Sequence, residues 1–341
     1  MQQRKSLVEL AQEVERLKEI KKDFVLPSSM LAMDRDANLW FGSQDYEVGK
    51  VAHEQISEKL GIPKKYYDRM LLETPNLLAS NVNEWLSRSD DKRMVRTLGN
   101  SVRAVLSDRY RPLDYDMILE ATLPVLFQQG EMQIVSSEIT ERRMYLQVVS
   151  PRLTGEVKKG DIVQMGISIS SSDVGLGALN IDPYLLRLIC LNGAVLPTAM
   201  KKHHIGKRIE ADEMGIFSSQ TIDMDNKVFL RKLKETVQYS FDELGFQDTL
   251  RRISFTADHK IVKEIDKTIQ EVTKRFDLSI PESDSVLKNL INGGDLSQWG
   301  LANAVTAVAN DHSDYDRAIE LQRIGGKVID LSESEWTVLA A

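Results

Sequence analysis

Residues 161–197 read DIVQMGISISSSDVGLGALNIDPYLLRLICLNGAVLP, and the fold class turns on them. Val163, Met165, Ile167 and Ile169 alternate with polar or small residues, which is the two-residue period of a half-buried strand over residues 164–170. Ser170, Ser171, Ser172 and Asp173 interrupt that period, and Gly175 and Gly177 permit backbone angles that a side chain forbids. Asp182 and Pro183 then have the form of a helix start, an Asp cap followed by Pro at the first helical position. Tyr184, Leu185, Leu188 and Ile189 would fill the buried face of that helix, and Asn192-Gly193 would end it in the left-handed conformation. The expectation is one packed unit of strand, glycine loop and buried helix.

Two hairpins precede this unit. Residues 93–98 and 101–107 flank Gly99-Asn100, a two-residue loop, and residues 132–139 and 144–149 turn at Glu141-Arg142. Between them, residues 114–128 read as a helix with Met117, Ile118, Ala121, Leu123 and Val125 inward. Toward the N-terminus, residues 51–60, 63–72 and 77–86 read as helices and residues 24–49 as irregular chain. Ser6 and Glu9 form a capping box for a helix running to about Lys22. Its Leu7, Leu10, Val14 and Leu17 have coiled-coil spacing, which serves either a homo-oligomer contact or a helix folded back on its own domain.

Beyond Pro197 the pattern is helical. One helix is expected over residues 227–244, with Phe229, Leu233, Val237, Phe241 and Leu244 on one face. Another is capped by Asp258 and carries Val262, Ile265, Ile269, Val272 and Phe276. Shorter ones begin at Ser285, Ser297 and Asp314, the last stopped at Gly325-Gly326. Strands and helices do not alternate in the βαβ manner, so the sequence predicts an α+β protein with a mainly antiparallel sheet. Its regions are 1–92, helical; 93–210, a core of hairpins and glycine loop; and 211–341, helical with an acidic end.

Four stretches also carry a likeness. Together with residues 161–197, SVRAVLSDRYRPLD at 101–114, LGIPKKYYDRM at 60–70 and QWGLANAVT at 298–306 resemble the DUF932 family of phage/plasmid-like proteins. The likeness runs in order over roughly residues 52–336. It implies carriage by phages, plasmids and integrative elements, and no established reaction.

Composition narrows the classes. A chain of 341 residues with 42% hydrophobic content can bury a proper core. The uncharged run over residues 188–200 contains Asn192, Gly193 and Pro197 and cannot span a bilayer, and the N-terminus lacks the apolar centre of a signal peptide. Cys190 is the single cysteine, which excludes an internal disulfide, fits a reducing cytoplasm and reads as inert packing in an apolar helix. The net charge is −7, yet residues 277–341 hold four Lys/Arg against eleven Asp/Glu, leaving 40 of each sign in the remainder. A neutral body can bind a polyanion where its local potential is positive.

Candidate chemistry is sparse. Gly175-Leu176-Gly177 lacks the third glycine of a dinucleotide loop, Asn180 standing in its place, and reads as a turn. His203 and His204 are adjacent and diverge, while His53, His259 and His312 have no ligand spacing with them. Asp311, Asp314 and Asp316 read as helix-start acids ahead of a magnesium site. No metal, cofactor or catalytic residue is assigned. The basic residues carry the better signal: residues 88–111 hold seven Lys/Arg against three Asp, and residues 187–208 hold five Lys/Arg.

Arg93, Arg96, Arg103, Arg109 and Arg111, with Lys201, Lys202, His203, His204, Lys207 and Arg208, are therefore the candidate nucleic-acid contacts. Tyr110 and Tyr115 are the aromatic residues near the first cluster. A two-residue loop at Gly99-Asn100 sets Arg96 directly opposite Arg103. That pair needs either a carboxylate (Asp90, Asp91 or Asp108) or an incoming phosphate. The functional expectation is a nucleic-acid-binding protein of mobile-element DNA metabolism, whose layout resembles that of single-strand annealing proteins. The alternatives are a metal-dependent enzyme acting on nucleic acid and a structural or inhibitory protein that binds a protein partner through its acidic C-terminal region.

Overall fold

In the computed structural model, which describes residues 6–110, 112–197 and 219–340, the hairpin at Gly99-Asn100 seeds a six-stranded sheet. Strand β1 (Lys21–Pro27) pairs with β5 (Lys92–Leu98), and β5 with β6 (Ser101–Ser107), both antiparallel. Beyond β6 lie β4 (Gln44–Val48), which pairs with it in parallel, then β3 (Leu39–Phe41) and β2 (Ala32–Met33). Residues 24–49 are thus strand-bearing and not irregular. β2 and β3 are too short to show a period, and what orders them is pairing. The boundary expected between residues 92 and 93 falls inside β5, which pairs with β1 from the N-terminal region.

Helices α1 (Leu7–Ile20), α2 (Lys50–Lys59), α3 (Lys64–Glu73) and α4 (Pro75–Ser87) begin close to where their caps and periods place them. Ser6 and Glu9 do form the capping box. α2 to α4 bury Ile56, Tyr67, Leu78 and Val82 against Phe41, Val95 and Val102 of the sheet.

The second sheet is an antiparallel meander in the order β11-β10-β9-β8-β7. Its strands are β7 (Gln133–Ile139), β8 (Met144–Lys158), β9 (Asp161–Ser171), β10 (Asn180–Arg187) and β11 (Asn192–Val195). The helix expected from Asp182 is therefore strand β10, with Asp182 opposite Ser168 and Pro183 opposite Ile167. Proline fits because of where its missing N–H falls. The Pro183 carbonyl accepts from Leu196 N beyond the last β10–β11 pair, so the absent donor faces the end of β11 and removes no bond to β9. Asn192-Gly193 opens β11 instead of closing a helix, and a Cβ on Gly193 would lie 1.8 Å from the Tyr184 hydroxyl.

β9 is buried on both faces. Met165, Ile167 and Ile169 pack under α1, α5 (Tyr115–Gln128) and α6 (Ser219–Tyr239), while Gln164, Ser168 and Ser170 on the opposite face are also buried. Leu10 and Val14 of α1 are 0% and 4% exposed in this same cluster. Of the two readings of the N-terminal seam, the structure takes the fold-back: its central residues are spent inside one chain. Within α5, Ile118, Ala121 and Val125 are buried as expected, whereas Met117 and Leu123 are half-buried.

The C-terminal helices are α7 (Glu243–Asp258), α8 (Ile265–Phe276), α9 (Ile280–Gly293), α10 (Gln298–Asp311), α11 (Tyr315–Ile329) and α12 (Glu333–Ala340). Asp258 ends α7 and does not cap the next helix, because α8 starts only after Glu264 and leaves Val262 exposed. Leu244 is likewise exposed, since the helix breaks after Tyr239. α9 begins at the Ser279–Glu282 capping box, ahead of Ser285. Gly325-Gly326 lies inside α11 and does not stop it: a Cβ on Gly326 would sit 1.9 Å from the Val195 carbonyl oxygen, so the pair lets the helix press onto β11. The fold is α+β, with a mostly antiparallel sheet system and a helical C-terminal region. No helix among the described residues is long and apolar enough to cross a membrane.

Two titrating groups report on this packing. The His53 Nδ1 lies 2.8 Å from the Tyr67 hydroxyl, and burial, reinforced by Lys64, lowers the imidazole from 6.5 to about 4. Glu282 is held bidentate by Arg317 at 2.7 and 2.9 Å, and that pairing lowers its carboxyl from 4.5 to about 2. In both cases the unfolded chain binds more protons inside the window between the two values, so stability rises with pH there. The His53 contribution is complete above pH 6.5 and lost as pH falls toward 4; that of Glu282 is complete above 4.5 and lost toward 2. Urea midpoints measured across pH should therefore flatten in the upper window in His53→Gln and in the lower window in Glu282→Gln. Unchanged slopes in both variants would reject the assignment.

Candidate nucleic-acid interface

The first basic cluster lies on the β5–β6 hairpin, and its register decides what it can do. Leu98 pairs with Ser101 and Thr97 with Val102, but the ladder then shifts and Arg96 pairs with Ala104. A bulge leaves Arg103 as the extra residue, so the directly opposed arginine pair is not formed. Bulges re-aim side chains, and here both guanidinium groups reach Asp173.

Arg96 is 2% exposed. Its Nε donates to Asp23 Oδ1 at 2.8 Å, its Nη2 to Asp114 Oδ1 at 2.7 Å, and its Nη1 to the Asp173 carbonyl at 2.5 Å. Arg103 forks onto both carboxylate oxygens of Asp173 at 3.0 and 2.9 Å, and Lys21 Nζ meets Asp114 at 2.5 Å. Three cations thus face three carboxylates. Burial works against the charge on Arg96, yet Asp23 and Asp114 outweigh it and hold the proton more tightly than usual. For Asp114, burial pushes the carboxyl up, but Arg96 and Lys21 bring it below the ordinary carboxylate range. Tyr115, which caps this cluster from α5, is pushed upward by burial and then by Asp173.

The counter-charges are carboxylates, as one of the two explanations required, but they are Asp23, Asp114 and Asp173 and not Asp90, Asp91 or Asp108. Of the remaining cluster, Arg93 is half-buried and donates to Asp91 at 2.8 Å, Arg88 pairs with Glu84 and lies over Trp85, and Arg109 is exposed. Tyr110 is half-buried and Tyr115 buried, so neither ring is laid open for stacking. Arg111, Lys201, Lys202, His203, His204, Lys207 and Arg208 lie outside the described residues.

The glycine loop joins β9 to β10, with Gly175 at φ +79° and Gly177 at φ +142°. It is a turn that receives an arginine. Arg143 Nη2 donates to the Leu176 carbonyl at 2.5 Å, and a Cβ on Gly177 would collide with that guanidinium. Asp314 caps α11, Asp316 accepts from the Tyr145 hydroxyl at 2.6 Å, and among the described residues no group of three His, Cys, Asp or Glu is arranged to hold a metal ion. Cys190 is exposed in the β10–β11 turn, because the apolar helix expected around it is not formed. The acidic C-terminal region is folded into helices, and several of its acids meet cations, as Asp295 does Lys158 at 2.6 Å.

A basic surface that a simple count of charge misses lies on α6. Leu233 and Val237 bury one side of this helix, while Lys227, Arg231, Lys232 and Lys234 are all exposed. Lys227, Arg231 and Lys234 recur at i, i+4 and i+7, which sets them in one stripe. Glu235 is the single acid over residues 227–239, and it pairs with Arg231 at 3.1 Å. The signal is present in the sequence as a helical period of charge, but it is diluted by Asp223 and Asp225 just upstream. The chain matches no family model, no curated protein and no solved structure.

Arg96→Ala is expected to destabilise the protein by about 3–5 kcal/mol, because Asp23 and Asp114 would be left partly buried without their partner. Urea unfolding checks this. Full stability in the variant, together with weakened oligonucleotide binding, would return Arg96 to the surface role that its sequence context suggests.

Proposed function

We propose that the protein belongs to the DUF932 family and binds nucleic acid in mobile-element DNA metabolism in the bacterial cytoplasm. The observation that carries this reading is the exposed stripe of Lys227, Arg231 and Lys234 with Lys232 beside it, on a helix whose other side is fixed in the core. Lys227 to Lys234 extends about 10 Å along the helix axis, enough to meet more than one phosphate of a strand. In sequence, Lys201, Lys202, Lys207 and Arg208 precede this stripe, separated from it by residues 209–226, which hold five acids and no Lys or Arg. The net charge of −7 does not oppose this, because attraction of a polyanion follows the local potential and is longest in range at low salt.

The arginines of the hairpin have another place in this reading. They tie the first sheet to α5 and to the end of β9, the elements against which α6 packs, and do not touch the ligand. Fluorescence anisotropy with a labelled single strand and the matching duplex, at several salt concentrations, tests the proposal. Lys232→Glu with Lys234→Glu should weaken binding and reduce the slope of log affinity against log salt by about 1.4 units, at about 0.7 for each single-strand phosphate that no lysine neutralises any longer. A parent protein that binds neither oligonucleotide, or a variant with unchanged affinity and slope, would remove the reading.

A further inference from the structure

The polar face of the second sheet holds a feature that anion binding does not use. Gln147, on β8, is 0% exposed. Its Nε2 donates to Gln322 Oε1 on α11 at 2.6 Å and to Ser168 Oγ on β9 at 3.3 Å, while its Oε1 has no partner among the described residues. A buried carbonyl oxygen left without a donor is unfavourable, and such groups are uncommon in folded proteins. Gln147 also lines a cavity of about 260 Å³, open to solvent on one side, between β7, β8, β10, the β10–β11 turn, α10 and α11. The hydroxyls of Ser136 and Tyr315 are hydrogen-bonded to each other in its wall.

We propose that this cavity binds a small, planar, uncharged nitrogen heterocycle of the nucleobase class, one N–H of which donates to Gln147 Oε1 once the side chains that close this atom off from the cavity shift on binding. Three properties of the wall select that class. The volume is below the roughly 300–1,000 Å³ of sites for drug-sized ligands, which suits one or two fused rings. Asp311 lines the cavity and, among the described residues, no Lys, Arg or His does, so a phosphate or carboxylate would meet a negative charge with no cation to offset it. The side chains that offer hydrogen bonds are carboxamides and hydroxyls, Gln147, Gln322, Asn310, Ser136 and Tyr315, and carboxamides match the paired donor and acceptor edge of a base. The inference does not rest on nucleic-acid binding by α6.

Cys190 makes the test specific. It is the single cysteine of the chain, it is exposed, and it lines this cavity, so the rate of its reaction with a thiol reagent reports occupancy there. Adenine and cytosine serve as probes, with adenosine monophosphate as the anionic comparison, in calorimetric titration and in thiol modification of the full chain. Adenine or cytosine should bind, slow the modification of Cys190, and bind more tightly than the monophosphate. Gln147→Leu, which removes the acceptor, should weaken binding by about tenfold or more. Ala318→Leu, which fills the cavity from α11, should do the same if Gln147→Leu does not fold. The proposal is overturned if neither base gives heat nor alters the Cys190 rate, if folded variants bind as the parent does, or if the monophosphate binds as tightly as adenine.

Discussion

One guanidinium ties together parts of the chain that lie far apart in sequence. Arg96 stands on the first sheet, Asp23 on the strand beside it, Asp114 at the N-terminal cap of α5, and Asp173 in the loop that leaves β9 of the second sheet. Arg103, displaced by the bulge, adds a second bond across the same gap by forking onto Asp173. Burying charge is costly, and a buried pair is not by itself a source of stability. What offsets the cost here is balance: Lys21, Arg96 and Arg103 against Asp23, Asp114 and Asp173, with forked geometry at Asp23 and at Asp173. The arrangement fixes how the six-stranded sheet, α5 and the meander sit on one another.

The same network shows where sequence reading stops. The hairpin, its two-residue loop and the α5 helix are legible because they depend on residues within a few positions of one another. The partners of Arg96 are not, since Asp23 and Asp173 are 73 and 77 residues away and nothing in the local pattern marks them. A count of seven Lys/Arg over residues 88–111 measures charge and says nothing of burial, so it makes an internal ion cluster look like an anion surface. The bulge between Arg96 and Thr97 is equally invisible, and it shifts the register by one residue. On α6 the opposite holds: the exposed stripe is ordinary helical periodicity, legible once the helix is known to be anchored by Leu233 and Val237.

Strand β10 is a second case of local chemistry yielding to pairing. Asp182-Pro183 is a good helix start, and a short apolar run such as Tyr184, Leu185 and Leu186 is compatible with either state. The run is a strand because β9 and β11 supply ladder partners on its two sides, and proline is admitted because its missing donor faces past the end of β11. Gly325-Gly326 teaches the same lesson in a helix. The pair looks like a stop signal, and it is in fact a contact surface against β11 and α10. Burial of β9 on both faces then leaves its polar side, with Gln147 and Ser168, packed under α11, which is why polar chemistry is found inside this protein and not only on it.

The hairpin arginines join the two sheets, and a double-mutant cycle on Arg103→Met and Asp173→Leu measures that junction most directly. Urea unfolding of the parent, both single variants and the double variant gives the coupling energy between a residue of the first sheet and one at the end of β9. A coupling of about 2 kcal/mol, the double variant being far less damaged than the two single effects added together, is the expected result. Single effects that add to within about 0.5 kcal/mol would mean that the two side chains act independently, and would contradict the claim.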